Sequence, residues 1–131
     1  MGAKKILIID DEGDFCELIK ANLELRGSFE VFIAINGKEG IDIARRVKPD
    51  IVLLDIRMPE MNGFEVLKRL KRDNATVAIP VIMLSALVDE ESKLMAAQLF
   101  NELYITKPVK FEDLENSIGE VLKRRDLSKP L

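Results

Sequence analysis

The chain has 131 residues, of which 47% are apolar and 33% charged, the amount and kind of sequence that builds one ordinary globular domain rather than two independent cores. A net charge of -3 and a pI near 5.1 make no electrostatic case for nucleic acid or an anionic membrane as a direct partner. There is no histidine and one cysteine, so a phosphohistidine or a histidine base has to come from a partner, and no internal disulfide can form.

In chain order, Lys4–Ile9 (KKILII) reads as a short strand that ends in Asp10-Asp11-Glu12. A helix follows with Phe15, Leu18, Ile19, Asn22 and Leu23 on one face, Cys16 as a small core residue on its apolar side, and Gly27 as its stop. Phe29–Ala34 is a second strand. Asn36 then caps a helix, with Glu39 three residues on and Ile41, Ala44 and Val47 facing inward, until Pro49 breaks it. Residues 51–54 are four consecutive aliphatic residues without alternation, the mark of a strand buried on both faces. Asp55 comes next, where that strand emerges.

Met58-Pro59 and Asn62-Gly63 form a turn region, and Asn62 with Glu65 caps a helix whose apolar positions are Phe64, Leu67 and Leu70. Residues 79–84 form a fourth strand ending at Ser85, 89–99 a helix with a less clean apolar face, and Leu103–Thr106 a fifth strand ending at Lys107-Pro108. The last helix is expected over 111–123, with Phe111, Leu114, Ile118, Val121 and Leu122 inward, before a frayed polar end. The domain is bounded at 1–125, and 126–131 is a short polar tail. The run around 79–88 is too short and too interrupted by Pro80 and Ser85 to span a bilayer, and the start MGAKK lacks the apolar stretch of a signal peptide. A cytoplasmic protein without membrane insertion is the expectation.

Strands alternating with helices predict an α/β fold with a parallel sheet covered on both faces. Periodicity does not determine strand order; the flavodoxin-like order 2-1-3-4-5 is one of two common solutions. The polar residues that interrupt the apolar strands all do so at carboxyl ends: Asp10 and Asp11, Asp55, Ser85 and Lys107. In a parallel sheet these ends share one rim. If strands one and three are neighbours, three carboxylates converge beside a hydroxyl and an ammonium.

Such a site has to manage its own repulsion. Two like charges about 4 Å apart repel by roughly 1 kcal/mol in water and roughly 4 kcal/mol at an effective dielectric of about 20. Three carboxylates therefore need a cation or raised pKa values. An all-oxygen donor set suits Mg²⁺ or Mn²⁺ rather than zinc. A divalent ion beside a carboxylate, with Lys and Ser nearby, can support transfer of a phosphoryl group to that carboxylate.

Together, IIDDE, LLDIRMP, Asn62-Gly63, MLSA and YITKP, in that order and at those strand ends, resemble the receiver domain of two-component response regulators, of the stand-alone, chemotaxis-regulator-like kind, over almost the whole chain. The resemblance implies the 2-1-3-4-5 sheet and a role for each position. Asp55 is the phosphoacceptor, charged by a phosphohistidine on a histidine kinase or histidine phosphotransfer protein. Asp11 ligates Mg²⁺ directly, Asp10 through water, and the backbone carbonyl of Arg57 adds a ligand. Lys107 binds a phosphoryl oxygen, Ser85 hydrogen-bonds another, and Tyr104 is the switch aromatic. Lys107-Pro108 is a cis peptide. Arg57 and Leu87 overhang the acyl phosphate and set its lifetime.

Taken singly, each residue has an ordinary reading. Asp10-Asp11 can be a helix-dipole pair, Asp55 a cap, Ser85 a loop serine, Lys107 an exposed lysine and Tyr104 a half-buried sheet residue. Five such coincidences at one rim favour the site. The chain departs from the family at Phe100-Asn101, where a Gly-Ala pair is usual, which bears on the output face formed by the 89–99 helix, the fifth strand and the last helix.

The expected function is phosphorelay signalling by a receiver that switches partner binding, an enzyme only in the limited sense of catalysing its own phosphorylation and dephosphorylation. The alternatives are a receiver fragment of a larger hybrid kinase or transcription factor, and a constitutive protein-binding module with a vestigial site. A flavodoxin-like flavin binder needs a Gly- and hydroxyl-rich loop after strand one, where Asp-Asp-Glu would repel a phosphate. A haloacid-dehalogenase-type phosphatase needs a DxDxT pattern that is absent.

Overall fold

The computed structural model describes residues 2–85 and 103–128, except for the side chains of Ser85 and Ser128. Five parallel strands, β1 (Lys4–Ile9), β2 (Phe29–Ala34), β3 (Ile51–Asp55), β4 (Val81–Ser85) and β5 (Leu103–Thr106), form one sheet in the order β2-β1-β3-β4-β5. Helices α1 (Gly13–Leu25), α2 (Gly37–Val47) and α3 (Gly63–Arg72) and a C-terminal helix (Phe111–Ser128) cover both faces. The expected strand order and layer arrangement are thus found.

Two cores explain why β1 and β3 are apolar without alternation. Ile6 and Ile8 of β1 and Ile51 and Leu53 of β3 point to one face, where they meet Ile19 and Leu23 of α1 and Leu114 and Ile118 of the C-terminal helix. Leu7, Ile9, Val52 and Leu54 point to the other, against Ala44 of α2 and Val66, Leu67 and Leu70 of α3. Strand side chains alternate in direction, so burial on both faces requires apolar residues at every position. The two expected caps form: Asn36 accepts from the Glu39 N–H at 2.8 Å, and Asn62 from the Glu65 N–H at 3.0 Å. At the free edge of β2, Glu24 accepts from the Val31 N–H at 3.1 Å and Lys20 donates to the Val31 carbonyl at 3.0 Å, so α1 occupies an edge open to further strand pairing.

Three expectations shift. Leu18 is 61% exposed, because the buried face of α1 is Cys16, Ile19 and Leu23 with Phe15 partly covered. β4 begins at Val81 rather than at 79, since the Ile79 N–H bonds the Thr76 carbonyl in a turn and Pro80 has no N–H to offer the ladder. The C-terminal helix continues through Ser128 instead of ending near 123. Arg125 anchors that extension, donating to the Asp50 carbonyl at 3.0 Å and its carboxylate at 2.8 Å, just before β3 begins. The helix expected over 89–99, Leu87 and the Phe100-Asn101 pair lie outside the described residues. Among the described residues no helix is long and apolar enough to cross a membrane.

Candidate functional site

The rim at the carboxyl ends of β1, β3 and β5 is assembled by the register of the sheet. Ile9 pairs with Leu54 across β1 and β3, so Asp10 and Asp55 leave adjacent strands side by side. Their backbones are held by ladder-like bonds: the Asp10 N–H donates to the Ala34 carbonyl at 3.0 Å, and the Ile56 N–H to the Leu84 carbonyl at 2.9 Å. Asp10 and Asp55 are buried while Asp11 is exposed, and each offers a carboxylate oxygen such that these atoms lie within 4.8 Å of one another.

Lys107, which follows β5, reaches into this group. Its ammonium donates to Asp10 at 2.7 Å and to Glu12 at 3.0 Å, and stands 3.5 Å from Asp55. Its remaining side faces the Phe15 ring, with Nζ 4.4 Å from the centroid. The Glu12 N–H donates in turn to the second oxygen of Asp10 at 3.0 Å. The Lys107-Pro108 peptide is cis.

Burial sets the electrostatics. It pushes the Asp55 carboxyl up from 3.8 to about 6, helped by the Asp10 charge and opposed by Lys107. Burial likewise raises Asp10 despite its bonds from Lys107 and the Glu12 N–H. For Lys107 burial works against the charge, but the hydrogen bonds to Asp10 and Glu12 outweigh it and the ammonium is held above its ordinary value. Among the described residues one ammonium thus stands against four carboxylates. The surplus negative charge and the all-oxygen donor set fit a hard divalent cation, whose octahedral oxygens at about 2.1 Å lie roughly 3–4 Å apart, a spacing the 4.8 Å group accommodates.

The other expected residues fall around this centre. The Ser85 backbone pairs with Thr106 at the same rim. Tyr104 is half-buried and packs against the core on the α2–α3 side of the sheet. Arg57 is exposed and lines an open hollow with Met58, Asn62 and Phe64. Two site residues carry no role in the sequence reading. Glu12 was visible there as the third acid after β1, but its bond to Lys107 depends on β5 lying where it does. Phe15 reads only as a core residue of a helix.

The loop from β3 to α3 holds a strained turn. The Met61 N–H donates to the Pro59 carbonyl at 2.8 Å across Glu60, whose φ is 68°. A side chain there is disfavoured by about 1–3 kcal/mol. Glu60→Gly is expected to stabilise the protein by about 1 kcal/mol net of the added freedom of the unfolded chain; thermal unfolding measures it, and a lowered midpoint would refute the strain.

Comparison with known proteins places this geometry. A family model described as "Response regulator receiver domain" matches residues 6–119. Protein PilH of Pseudomonas aeruginosa is 41% identical over 118 residues, which are 90% of this chain and 97% of that protein. The phosphate regulon transcriptional regulatory protein PhoB of the same species is 40% identical over 95% of this chain but 54% of its own length. The chain spans about half the length of the transcriptional regulators it matches; for RpaA of Synechocystis the share is 50%. A CheY-like response regulator receiver domain protein from Methanospirillum hungatei superposes with a TM-score of 0.90 at 29% identity, covering 98% of this chain and 100% of that one.

Proposed function

The chain belongs to the response-regulator receiver domain family, the receivers of phosphorelay signalling, and on that premise we propose that Asp55 is its phosphoacceptor. The observation that carries this reading is a buried carboxylate at the end of β3, 3.5 Å from the Lys107 ammonium and grouped with Asp10 and Asp11. Receivers interact with histidine kinases or phosphotransfer proteins, and this chain has no histidine of its own. An Asp55 carboxylate oxygen attacks the phosphorus of the donor phosphohistidine; a P–O bond forms as the P–N bond breaks, and the imidazole leaves with a proton from solvent.

Asp10, Asp11, Asp55 and the Arg57 carbonyl would hold Mg²⁺, or Mn²⁺ in its place. When bound, the ion neutralises the carboxylates and the charge on the phosphoryl oxygens. Lys107 contributes its ammonium to one phosphoryl oxygen by moving off Asp55, and Ser85 donates its hydroxyl to another. Burial excludes water from the carboxylate on all but the rim side, and Arg57 and Leu87 govern what water remains.

The added charge and acceptor oxygens act at a distance by biasing two arrangements of the Ser85 strand end and Tyr104. The output surface includes β5 and the C-terminal helix, and its occupant is a protein whose binding changes with phosphorylation. The receiver unit itself spans residues 1–125.

Intact mass after incubation with acetyl phosphate and Mg²⁺ tests the assignment. The native chain is expected to gain one phosphoryl group and Asp55→Ala none. Equal modification of both would refute Asp55 as the acceptor.

A further inference from the structure

Lys107 reaches the site on a flexible side chain. Asp10 and Asp55 are short, buried and set by strand register, whereas the lysine ammonium ends a four-carbon stem with many rotamers. The strand that delivers it, β5, is an edge strand only partly covered by its neighbours. Something must hold the stem over the carboxylates.

Lys107 has three oxygen partners, on Asp10 at 2.7 Å, Glu12 at 3.0 Å and Asp55 at 3.5 Å. The ammonium also lies over the Phe15 ring, with the centroid 4.4 Å from Nζ. Glu12 lies just before α1 and Phe15 in its first turn, three residues apart. The start of α1 therefore presents both a carboxylate and an aromatic face to the same cation. The Lys107 side chain is 9% exposed, so water screens the ring's quadrupole little.

We infer that Phe15 is a positioning residue for phosphoryl transfer, its ring face holding the Lys107 ammonium within reach of Asp55. The inference rests on Asp55 being the acceptor. Phosphorylation requires Lys107 to trade carboxylate contacts for a phosphoryl oxygen. The 3.5 Å ion pair with Asp55 is given up in that trade, while attraction to a ring face uses none of the three N–H donors and has no sharp direction. The ring therefore holds the ammonium before and after the exchange. An aliphatic side chain of similar bulk would fill the space without holding the charge.

The experiment compares the native chain with Phe15→Leu, Phe15→Met and Phe15→Tyr; Phe15 lines an open hollow with Leu18 and Phe111. The rate of phosphoryl incorporation from acetyl phosphate is expected to fall on the order of fivefold in the two aliphatic variants and to stay within about twofold of native in Phe15→Tyr. Mg²⁺ affinity, read by calorimetric titration, is expected to stay unchanged in all three. The ε-methylene protons of Lys107 are expected to show an upfield ring-current shift in the native chain and in Phe15→Tyr that the aliphatic variants lose.

Native rates in Phe15→Leu and Phe15→Met overturn the inference, as does an equal slowing of all three variants, which would mark mere packing. Should one aliphatic variant lose its fold, the other decides. A native chain that takes up no phosphoryl group overturns the acceptor assignment instead, and the Lys107 ring-current shift then shows whether the ring contact itself stands.

Discussion

Asp55→Asn is expected to unfold at a higher temperature than the native chain when both are held metal-free at neutral pH. Burial and the neighbouring Asp10 charge raise the Asp55 carboxyl from 3.8 to about 6 against the pull of Lys107. Its ionised form therefore weakens the folded state relative to the unfolded one. A group raised in this way contributes most to stability below its unfolded value, and that contribution is lost as the pH rises through about 6. At neutral pH the loss is complete and amounts to roughly 2–3 kcal/mol, part of which is offset in the variant because Lys107 gives up a partner.

An asparagine keeps the shape without the charge. The stability gap between Asp55→Asn and native should be widest above pH 7, narrow as the pH falls through about 6 and close only as it falls below the unfolded value of 3.8, and added Mg²⁺ should narrow it by stabilising the native chain. Thermal unfolding across that range, in a chelator and again with Mg²⁺ in excess, measures all three effects. A variant less stable than native at pH 7.5 would show that the Lys107 contact outweighs the repulsion.

The second large effect is expected at Gly63, the first residue of α3. A β-carbon there would lie 2.4 Å from the Asp55 carbonyl oxygen and 2.7 Å from the Ile56 α-carbon. Those neighbours are backbone, at the end of the strand that carries Asp55, and the Gly63 N–H donates to the Ile56 carbonyl at 2.8 Å. Gly63→Ala must therefore displace either α3 or the strand end, at an expected destabilisation of about 3 kcal/mol. Gly40 is the control. The three nearest atoms that a β-carbon there would meet all belong to the Ile9 side chain, the first at 2.5 Å, so a rotamer change can absorb part of the strain. Chemical denaturation of the two alanine variants should rank Gly63→Ala well below Gly40→Ala. Only Gly63→Ala should also slow phosphoryl incorporation, because it alone moves the acceptor. Equal losses at the two positions would mean that the strand end yields as easily as a side chain.

Much of this molecule was legible before any coordinates. The strand limits of β1, β2 and β5, the caps at Asn36 and Asn62, and the placement of polar residues at carboxyl ends are local properties of chain periodicity and turn chemistry. The physics that produces them acts over a few residues. The departures came where a distant partner outweighed the local signal. Leu18 fits an apolar stripe, yet the C-terminal helix and sheet cover the Cys16–Ile19–Leu23 face instead. The end of the last helix looks polar and unsupported until Asp50, 75 positions away in sequence, binds Arg125.

The candidate site divides along the same line. The sequence by itself determined which side chains stand at strand ends: Asp10, Asp11, Asp55 and Lys107 are there because apolar runs stop at them. The tertiary structure alone decided that they meet, because strand order and register are settled by packing helices onto both faces of the sheet, and no periodicity encodes neighbours. It alone decided, too, that Lys107 lies between Glu12 and the ring of Phe15, and that Gly63 touches the backbone of the strand end. Charge and aromatic contacts depend on distances of a few ångströms across 95 positions of chain in the case of Glu12, and only the folded arrangement supplies those distances.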